Sequence, residues 1–329
     1  MTAEPSTRVM TVTPEALAEA VGCLRAGGLV AFPTETVYGL GADATNAKAI
    51  ARLYDAKGRP AFNPLIAHIQ DAAAARGLGI LDPLASRLAE LFWPGPLTLV
   101  VPRQPDCRVA ELATAGLATI ALRVPAHTVA RDLLAAFGRP IVAPSANRSG
   151  HVSPTTGQHV LADLRGRIDL VLDGGRSPVG LESTIVACIG EPALLRPGGL
   201  PRADIERVLG HSLADSPIEP ADEAPLAPGQ LPSHYAPRTP LRLNAQTVRA
   251  GEALLAFGEP SLSSSDRAAS VLNLSPGADM VEAAANLFSY LRTLDTLGAS
   301  GIAVMPIPQI GLGEAINDRL QRAAAPRPG

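Results

Sequence analysis

Short apolar runs alternate with helical segments through the first two-thirds of the chain, at the spacing of an α/β fold. Thr13, followed by Pro14 and an acidic first turn, predicts the start of a helix that Gly27 ends. Two more helices are predicted over 46–56 and 84–92, ended by Gly58 and Pro94. The predicted strands are 29–33, 65–69, 97–101, 119–124, 141–144, 169–173, 183–189 and 193–196. These strands are too many and too short for a barrel of eight βα units, so we predict a twisted, largely mixed sheet flanked by helices.

This pattern breaks near His211. Between 211 and 240, seven of thirty residues are proline and the periodicity disappears, which predicts an extended linker. The linker ends in PGQLPSHYAP, whose His234 and Tyr235 a simple spacer would not need. After Pro240, strands at 252–257, 270–274 and 301–307 and helices at 280–297 and 313–324 predict a small open α/β domain of parallel, Rossmann-like type. The predicted parts are a first domain over 1–210, a linker over 211–240 and a small domain over 241–329.

The composition excludes several classes of protein. With 47% hydrophobic and 18% charged residues the chain is not disordered as a whole, and a net charge of −3 excludes a generally basic, DNA-coating protein. An aromatic content of 3% disfavours a large platform for stacking single-stranded bases. The three cysteines are scattered, no secretory leader is visible, and no apolar run approaches the ~18–20 residues that span a bilayer. We therefore expect a soluble cytoplasmic protein.

Common catalytic signatures are missing from the sequence. There is no G-x-x-x-x-G-K-[ST] phosphate loop, no H-E-x-x-H and no G-x-S-x-G. The GLG runs at 39–41 and 311–313 lack the third glycine of a dinucleotide fingerprint. We predict a turn at each of them.

Polar residues gather instead at the ends of predicted strands, where open α/β sheets bind ligands. The run PTETVYGLG, with Thr34, Glu35 and Thr36, directly follows the first strand. It favours a cup of backbone and hydroxyl groups for a small polar substrate. The alternative is a capped loop in which the hydroxyl groups bond one another.

A second cluster, KGRPAFNPL, places Lys57 and Arg59 at a helix end and Asn63 before a proline. The two prolines fix the loop and would hold Arg59 and Asn63 forward as an anion clamp. The alternative is that the two cations only complement the helix dipole. His68 follows in a strand, where a lone histidine is more often a core residue than a ligand.

A third cluster, APSANRSGHVSPT at 143–155, is rich in hydrogen-bond donors and suits phosphate oxygens. Its alternative role is a capping turn for a helix over 156–164, with Ser153 or Thr155 as the cap. Arg123 ends a strand, the run EST at 182–184 begins one, and LLRPG at 194–198 leaves one. The shared position of these groups at strand ends favours a binding site.

Eight motifs in one order resemble a known family: PTETVYGLG, KGRP–N–PL, WPGPLTLV, LRVP, APSAN–SG–SPT, STIV, LLRPG and PG–HYAP. The chain resembles the threonylcarbamoyl-AMP synthases, whose YrdC-like domain occurs here in its long, two-domain form. The resemblance covers Ala16 to about Val208 closely, then the linker motif and the small domain. Gly58 within KGRP is the one departure noted.

The resemblance implies an enzyme, a nucleotidyltransferase. It would convert L-threonine, bicarbonate and ATP into threonylcarbamoyl-AMP and pyrophosphate, with Mg²⁺ accompanying the ATP. The product would pass to a separate tRNA threonylcarbamoyl transferase complex for the t6A modification of adenosine 37 in tRNAs that read ANN codons. A tRNA contact is compatible with this role but not required.

The resemblance also implies site residues. The catalytic pair would be Lys57 and Arg59, and no protein metal site is implied. The residues implied for L-threonine are Thr36, His68, Arg123, Ala143 and Ser183. The residues implied for ATP are Arg59, Asn63, Thr119, Ser145, Ser153, Arg196 and Tyr235. The linker would fold over this site, which would account for His234 and Tyr235.

The chemistry of the residues agrees with this reaction. An α-amino group has a pKa of ~7.7–8.0, so part of it is neutral near pH 7 and no strong general base is needed. Attack at phosphorus requires mainly positioning and charge neutralisation, which Lys57, Arg59 and Arg196 could supply. Arg123 suits a bidentate grip on the threonine carboxylate.

Two other functions stay open at this point. One is a different carbamoyl-adenylate chemistry, as in hydrogenase-maturation proteins that contain a similar domain. Those proteins carry zinc-finger segments, against which the three scattered cysteines argue. The other is a non-enzymatic RNA-binding module, which the pI of about 6.1 and the few aromatic residues disfavour.

Overall fold

The computed structural model describes residues 6–215, 234–259 and 265–326. The strands are β1 (Arg8–Thr11), β2 (Val30–Phe32), β3 (Gly39–Asp43), β4 (Ile66–His68), β5 (Leu97–Pro102), β6 (Thr119–Arg123), β7 (Ile141–Val142), β8 (Leu170–Asp173), β9 (Thr184–Ala187), β10 (Ala193–Arg196), β11 (Ala214–Asp215), β12 (Leu241–Arg242), β13 (Glu252–Ala256), β14 (Val271–Asn273) and β15 (Gly301–Val304). The helices are α1 (Pro14–Arg25), α2 (Ala47–Lys57), α3 (Ala72–Arg76), α4 (Pro83–Phe92), α5 (Glu111–Thr114), α6 (Thr128–Phe137), α7 (Gly157–Leu164), α8 (Arg202–Leu209), α9 (Met280–Asp295) and α10 (Leu312–Ala324). No helix in the described ranges is long and apolar enough to cross a membrane.

The first eleven strands form one twisted, mixed sheet in the order β1-β8-β2-β3-β7-β4-β6-β5-β9-β10-β11. The sheet contains both parallel pairs, such as β4 with β6, and antiparallel pairs, such as β5 with β6. The strands at the middle of the sheet are buried along nearly their whole length, which explains their continuous apolar sequences. The prediction of a mixed sheet flanked by helices is confirmed.

Local capping explains why the helices begin where they do. The Thr13 hydroxyl accepts a hydrogen bond from the Ala16 N–H, and the Asn46 side chain accepts from the N–H groups of Lys48 and Ala49. Gly58 ends α2 in the left-handed conformation, φ +60°, as its position in the sequence predicts. At α7 the cap is Thr156, so the expectation of Ser153 or Thr155 as the cap is wrong. Ser153 is engaged elsewhere, as described below.

The GLG run at 39–41 is a strand, so the predicted turn there is wrong. Gly39 and Gly41 lie in β3, antiparallel to β2 and opposite Phe32 and Val30. A Cβ on Gly41 would approach the Phe32 ring to 2.8 Å and the Val30 carbonyl oxygen to 3.1 Å. Glycine here makes room for Phe32 across the sheet, which sequence alone does not separate from a turn. At the second GLG run, Gly311 does turn the chain before α10, with φ +55°.

The remaining four strands form a small sheet in the order β12-β15-β13-β14, with every neighbouring pair parallel. The prediction of a small open α/β domain of parallel type is confirmed. Of the predicted linker, 216–233 lies outside the described residues. Ala214 and Asp215 at its start form β11 on the edge of the large sheet, and its end, from His234, is described in the next section.

The small sheet shares its hydrophobic core with the large one. Phe288 and Leu291 of α9 belong to the same buried cluster as Val37, Val152 and Leu181, which come from loops of the large sheet. Ion pairs reinforce this contact, and they join Arg319 to Glu182, Arg292 to Asp163 and Arg202 to Glu314. The two sheets are therefore packed against each other by both apolar and charged side chains.

Gly180 lies directly against α9 of the small domain, and its replacement tests how tightly the two parts pack. A Cβ on Gly180 would lie 2.5 Å from the Ala284 carbonyl oxygen and 2.6 Å from the Ala285 Cα, both in α9. Gly180 and Gly175 have left-handed backbones, φ +75° and +82°, but a Cβ on Gly175 would meet no atom within 4 Å. Alanine at either position costs about 1–2 kcal/mol of backbone strain.

We expect Gly180→Ala to cost a further ~1–3 kcal/mol through overpacking. Its melting temperature by scanning calorimetry should fall below that of Gly175→Ala by about 2–4 °C for each kcal/mol. Equal melting temperatures for the two variants would show that the contact with α9 is loose.

Candidate active site

A cavity lies at the ends of β2, β4, β6, β9 and β10, under the segment that begins at His234. Its free volume is about 50 Å³, room for a few water molecules. The residues that the sequence analysis named and that line this cavity are Thr36, Arg59, His68, Arg123, Ala143, Ser145, Ser183, Arg196 and Tyr235. The structure therefore gathers nine of the predicted site residues, from distant parts of the chain, around one enclosed space.

Lys57, Asn63 and Ser153 are buried but do not line the cavity. Lys57 lies behind its wall, where Nζ donates to the carbonyl oxygens of Ser145, at 2.5 Å, and Asn147. The carbonyl oxygen of Asn63 accepts from Arg59 Nη2 at 3.3 Å. Lys57 and Asn63 thus each support a neighbouring part of the cavity and do not face into it.

Thr119 is the predicted residue that the structure places away from the others. It begins β6, opposite Pro102 of β5, whereas Arg123 ends the same strand at the cavity. Four residues of extended chain separate the two by roughly 13 Å. The structure therefore does not bring Thr119 to the cavity wall.

Three polar lining residues were not assigned from the sequence: Thr34, Glu182 and His234. All three fall inside runs that the sequence analysis had singled out, so the signal that finds them is the motif around them. At Thr34 the hydroxyl groups of the loop bond one another, as the alternative interpretation of PTETVYGLG expected, and the substrate cup stays a prediction. The Thr34 hydroxyl donates to the Val37 carbonyl oxygen at 2.6 Å and lies 2.7 Å from the hydroxyl of Thr36, so the loop is internally bonded while it also lines the cavity.

Arg123 is fixed by a buried carboxylate. Its Nη2 lies 2.5 Å from Glu35 Oε1, and its Nε donates to the Gly95 carbonyl oxygen at 3.3 Å. Oε2 of Glu35 accepts from the backbone N–H groups of Ala126 and His127. Burial alone would raise the pKa of Glu35, but the charge and hydrogen bond of Arg123 outweigh it and hold that pKa below its ordinary value. Of the five N–H groups of Arg123, these bonds use two, and the rest remain for a ligand.

Two further arginines, Arg59 and Arg196, are held at the cavity by carbonyl oxygens. Arg59 Nη2 donates to the Pro64 carbonyl oxygen at 3.0 Å, and Arg196 Nη2 donates to that of Ser183 at 2.8 Å. Both side chains are buried, which lowers the pKa of Arg59 to about 10 and also lowers that of Arg196. Both remain charged near pH 7, so this part of the cavity is strongly electropositive.

Both histidines of the cavity are neutral near pH 7. Burial, and then the charge of Arg123, lowers the pKa of His68 to about 3. Burial and the surrounding cations, Arg59 first, hold the pKa of His234 well below its ordinary value. Burial and then Arg59 likewise keep the pKa of Lys57 well below its ordinary value. The positive charge of the cavity wall therefore comes from its arginines.

Tyr235 closes the cavity from the side of the small domain. Its ring stacks on Phe288 of α9, with centroids 5.5 Å apart, and the guanidinium carbon of Arg319 lies 5.1 Å from the ring centroid. The neighbouring N–H of Ala236 donates to the Gly150 carbonyl oxygen at 2.9 Å. The end of the predicted linker is thus held by both parts of the molecule.

Comparison with known proteins agrees with this architecture. A family model described as telomere recombination (Sua5_yciO_yrdC) matches residues 22–198, and one described as threonylcarbamoyl-AMP synthase, C-terminal domain, matches residues 200–325. The threonylcarbamoyl-AMP synthase of Bacillus subtilis is 40% identical, covering 94% of this chain and 93% of its own. That of Pyrococcus abyssi is 42% identical, covering 94% of each chain. The crystal structure of P. abyssi Sua5 complexed with L-threonine superposes with a TM-score of 0.88 at 38% identity, covering 97% of this chain and 98% of that chain.

With the twisted mixed sheet and the small parallel domain, the family models and the named relatives make this chain a two-domain enzyme of the nucleotidyltransferase class. Both halves of the chain match their family models, and the two relatives align with the chain over nearly their full lengths. The chain belongs to the threonylcarbamoyl-AMP synthase family.

Glu35→Gln tests the buried pair that holds Arg123. Breaking a buried ion pair costs about 3–5 kcal/mol, because the remaining charge is left uncompensated. The lowered pKa of Glu35 means that its contribution is present above about pH 4.5 and is lost progressively as the pH falls below that value. We therefore expect the difference in free energy of unfolding between wild type and Glu35→Gln to be large at pH 7. By the same linkage it should be smaller at about pH 3.5–4.

The measurement is denaturant unfolding followed by the fluorescence of Trp93, the one tryptophan in the chain. Glu19→Gln is the control, because it removes an exposed ion pair with Arg8 and should change the free energy of unfolding by less than ~1 kcal/mol at pH 7. If the difference in free energy of unfolding between wild type and Glu35→Gln stays constant with pH, Glu35 is not a carboxylate paired with Arg123.

Proposed function

We propose that this chain makes L-threonylcarbamoyl-AMP and pyrophosphate from L-threonine, bicarbonate and ATP. The observation that carries the proposal is a cavity lined by three buried arginines, Arg59, Arg123 and Arg196, and by a single carboxylate, Glu182. Arg123 is already paired with Glu35, but among the described residues the partners of Arg59 are carbonyl oxygens. A buried cation of this kind is stabilised when an anion binds beside it. The carboxylate of threonine, bicarbonate and the phosphates of ATP are all anions. The names of the relatives and the threonine complex of P. abyssi Sua5 support the same assignment.

The first step joins threonine to bicarbonate. The neutral amine attacks the bicarbonate carbon, a C–N bond forms, and water leaves, which gives a carbamate. Arg123, Thr36 and Ser183 would hold the threonine, with Ala143 and His68 as the walls around it. His68 is neutral near pH 7, so it adds no competing positive charge beside the amine.

The second step transfers the adenylate. A carbamate oxygen attacks the α-phosphorus of ATP, and the bond to the β-phosphate oxygen breaks and releases pyrophosphate. Arg59 and Arg196 would neutralise the phosphate charge, with Ser145 and Tyr235 beside the nucleotide and with Asn63 and Ser153 supporting the wall. Lys57 would act through the loop of Ser145, whose carbonyl oxygen it binds. Thr119 has no role in this scheme.

Mg²⁺ would enter with the nucleotide. Among the described residues no group of three or more His, Cys, Asp or Glu could hold a metal ion. The carboxylates nearest the cavity, Glu35 and Glu182, already bind Arg123 and Arg319. These residues fit an ion that the phosphates of ATP carry in, where it would supply charge neutralisation, and they do not form a protein cage.

The proposed product is a reactive mixed anhydride, so a second enzyme must consume it. We propose that a tRNA threonylcarbamoyl transferase complex does so, for t6A at adenosine 37 of tRNAs that read ANN codons, in the cytoplasm. The hydrogenase-maturation alternative loses support because residues 200–325 match the synthase C-terminal domain instead.

Pyrophosphate release tests the proposed function directly. The rate is measured with ATP and Mg²⁺ while threonine and bicarbonate are each omitted in turn. We expect release to require both. Release that needs neither substrate would indicate a general nucleotide hydrolase. No release under any condition, together with a salt-dependent shift of tRNA, would favour the RNA-binding alternative.

Arg59→Ala tests the role of the buried guanidinium at the nucleotide. Its loss removes charge stabilisation at the reacting phosphates, so adenylate formation should fall by at least about a hundredfold. Arg52→Ala is the control, because Arg52 lies on α2 with about half of its side chain exposed and pairs with Asp169 away from the cavity. Arg52→Ala should keep wild-type turnover. An Arg59→Ala variant that melts normally and turns over like wild type would overturn the assignment of Arg59.

A further inference from the structure

Arg319, in the middle of α10, is the largest fully buried side chain of the described residues. It belongs to none of the sequence motifs described above. Its Nε donates to Glu182 Oε2 at 2.9 Å and its Nη2 to the Pro197 carbonyl oxygen at 2.9 Å, both across the contact between the two domains. Its Nη1 binds Asp318 on its own helix. A buried guanidinium that is satisfied on all three nitrogens is locked in one orientation.

The partner of Arg319 lines the cavity. Glu182 accepts from Arg319 through Oε2 and from the Ser153 hydroxyl, at 2.5 Å, through Oε1. Burial would raise the pKa of Glu182, but the charges of Arg319 and Arg196 outweigh it and keep the carboxyl ionised. Glu182 therefore joins the small domain to Ser153, one of the residues implied for ATP.

Arg319 also supports Tyr235. Its guanidinium carbon lies 5.1 Å from the Tyr235 ring centroid, a cation–π distance, and Phe288 stacks on the same ring. The backbone of Tyr235 has φ +62°, an unfavourable conformation for a bulky residue that surrounding contacts must hold in place. Arg319 and Phe288, both from the small domain, supply those contacts.

In the other half of the cavity, the side-chain hydrogen bonds run within the first domain. The Ser183 hydroxyl lies 2.7 Å from that of Thr98, and the Ser183 carbonyl oxygen accepts from Arg196. Arg123 is held by Glu35. The residues implied for threonine thus depend on contacts within the first domain, whereas Ser153 and Tyr235 depend on Arg319.

We propose that Arg319 is the positioning residue through which the small domain sets the ATP half of the active site. It acts through Glu182 and Tyr235 and touches neither substrate. The proposal rests on the proposed function, because it takes Tyr235 as a nucleotide contact and Ser153 as a support of the wall beside the nucleotide. It gives the C-terminal domain a defined task, namely to fix the orientation of Tyr235 and of the wall that Ser153 supports.

The test compares Arg319→Lys with Glu314→Gln in the full-length protein. Lysine keeps the charge beside Glu182 but cannot bind Glu182, Pro197 and the Tyr235 ring together. Glu314→Gln removes the ion pair with Arg202, which also joins α10 to the first domain but lies outside the cavity. Steady-state pyrophosphate release gives KM for ATP and for threonine, and calorimetry gives the melting temperature of each variant.

We expect Arg319→Lys to raise KM for ATP by about tenfold or more while KM for threonine stays within about twofold of wild type. Glu314→Gln should leave both KM values unchanged, even where it lowers the melting temperature. In a Tyr235→Ala background, Arg319→Lys should have a smaller effect on KM for ATP, because one of the two contacts through which it acts, that with the Tyr235 ring, is already absent.

Two results would overturn the proposal. One is a folded Arg319→Lys enzyme with wild-type KM for ATP, and the other is an equal rise of both KM values, which would mean that Arg319 only holds the domains together. The neutral pair Glu182→Gln/Arg319→Gln guards against misfolding, since it removes both charges of this buried ion pair together, and it should also raise KM for ATP selectively. If wild type itself releases no pyrophosphate from these substrates, the proposed function fails instead.

Discussion

Buried guanidinium groups impose the strongest constraint on this molecule. Arg59, Arg196 and Arg319 are at most 9% exposed, and each would be costly to bury without partners for its N–H groups. The partners are carbonyl oxygens at the ends of strands and loops, together with Glu182. Because those oxygens must point inward, the loops that carry them are fixed in one arrangement. The same loops form the cavity, so its shape follows from the need to satisfy its own charges.

Several residues that the motifs identify act on this cavity through a neighbour. Lys57 binds the carbonyl oxygens of Ser145 and Asn147, and Ser153 binds Glu182. A motif records which residue types must be present but not whether a side chain faces the ligand or supports one that does. The structure separates these two roles by the direction of each hydrogen bond.

The parts that sequence predicts well are those that local physics controls. The cap at Thr13 and the stop at Gly58 need only their immediate neighbours, and the structure has both. The turn predicted at Gly41 is wrong because glycine is needed there to make room for Phe32 on the neighbouring strand. Local sequence does not reveal that contact. Arg319 was missed for the same reason on a larger scale, since its partner Glu182 lies 137 residues away.

The shared core between the two sheets has a consequence for how such a chain could lose or acquire its second domain. Val37, Val152 and Leu181 are at most 5% exposed because α9 and its neighbours cover them. A related protein that kept only the large sheet would expose these three side chains to water as one hydrophobic patch, which would promote aggregation. Solubility would then favour polar residues at the same positions. Whether residues 37, 152 and 181 are apolar or polar in a related chain should therefore indicate whether a second domain covers them.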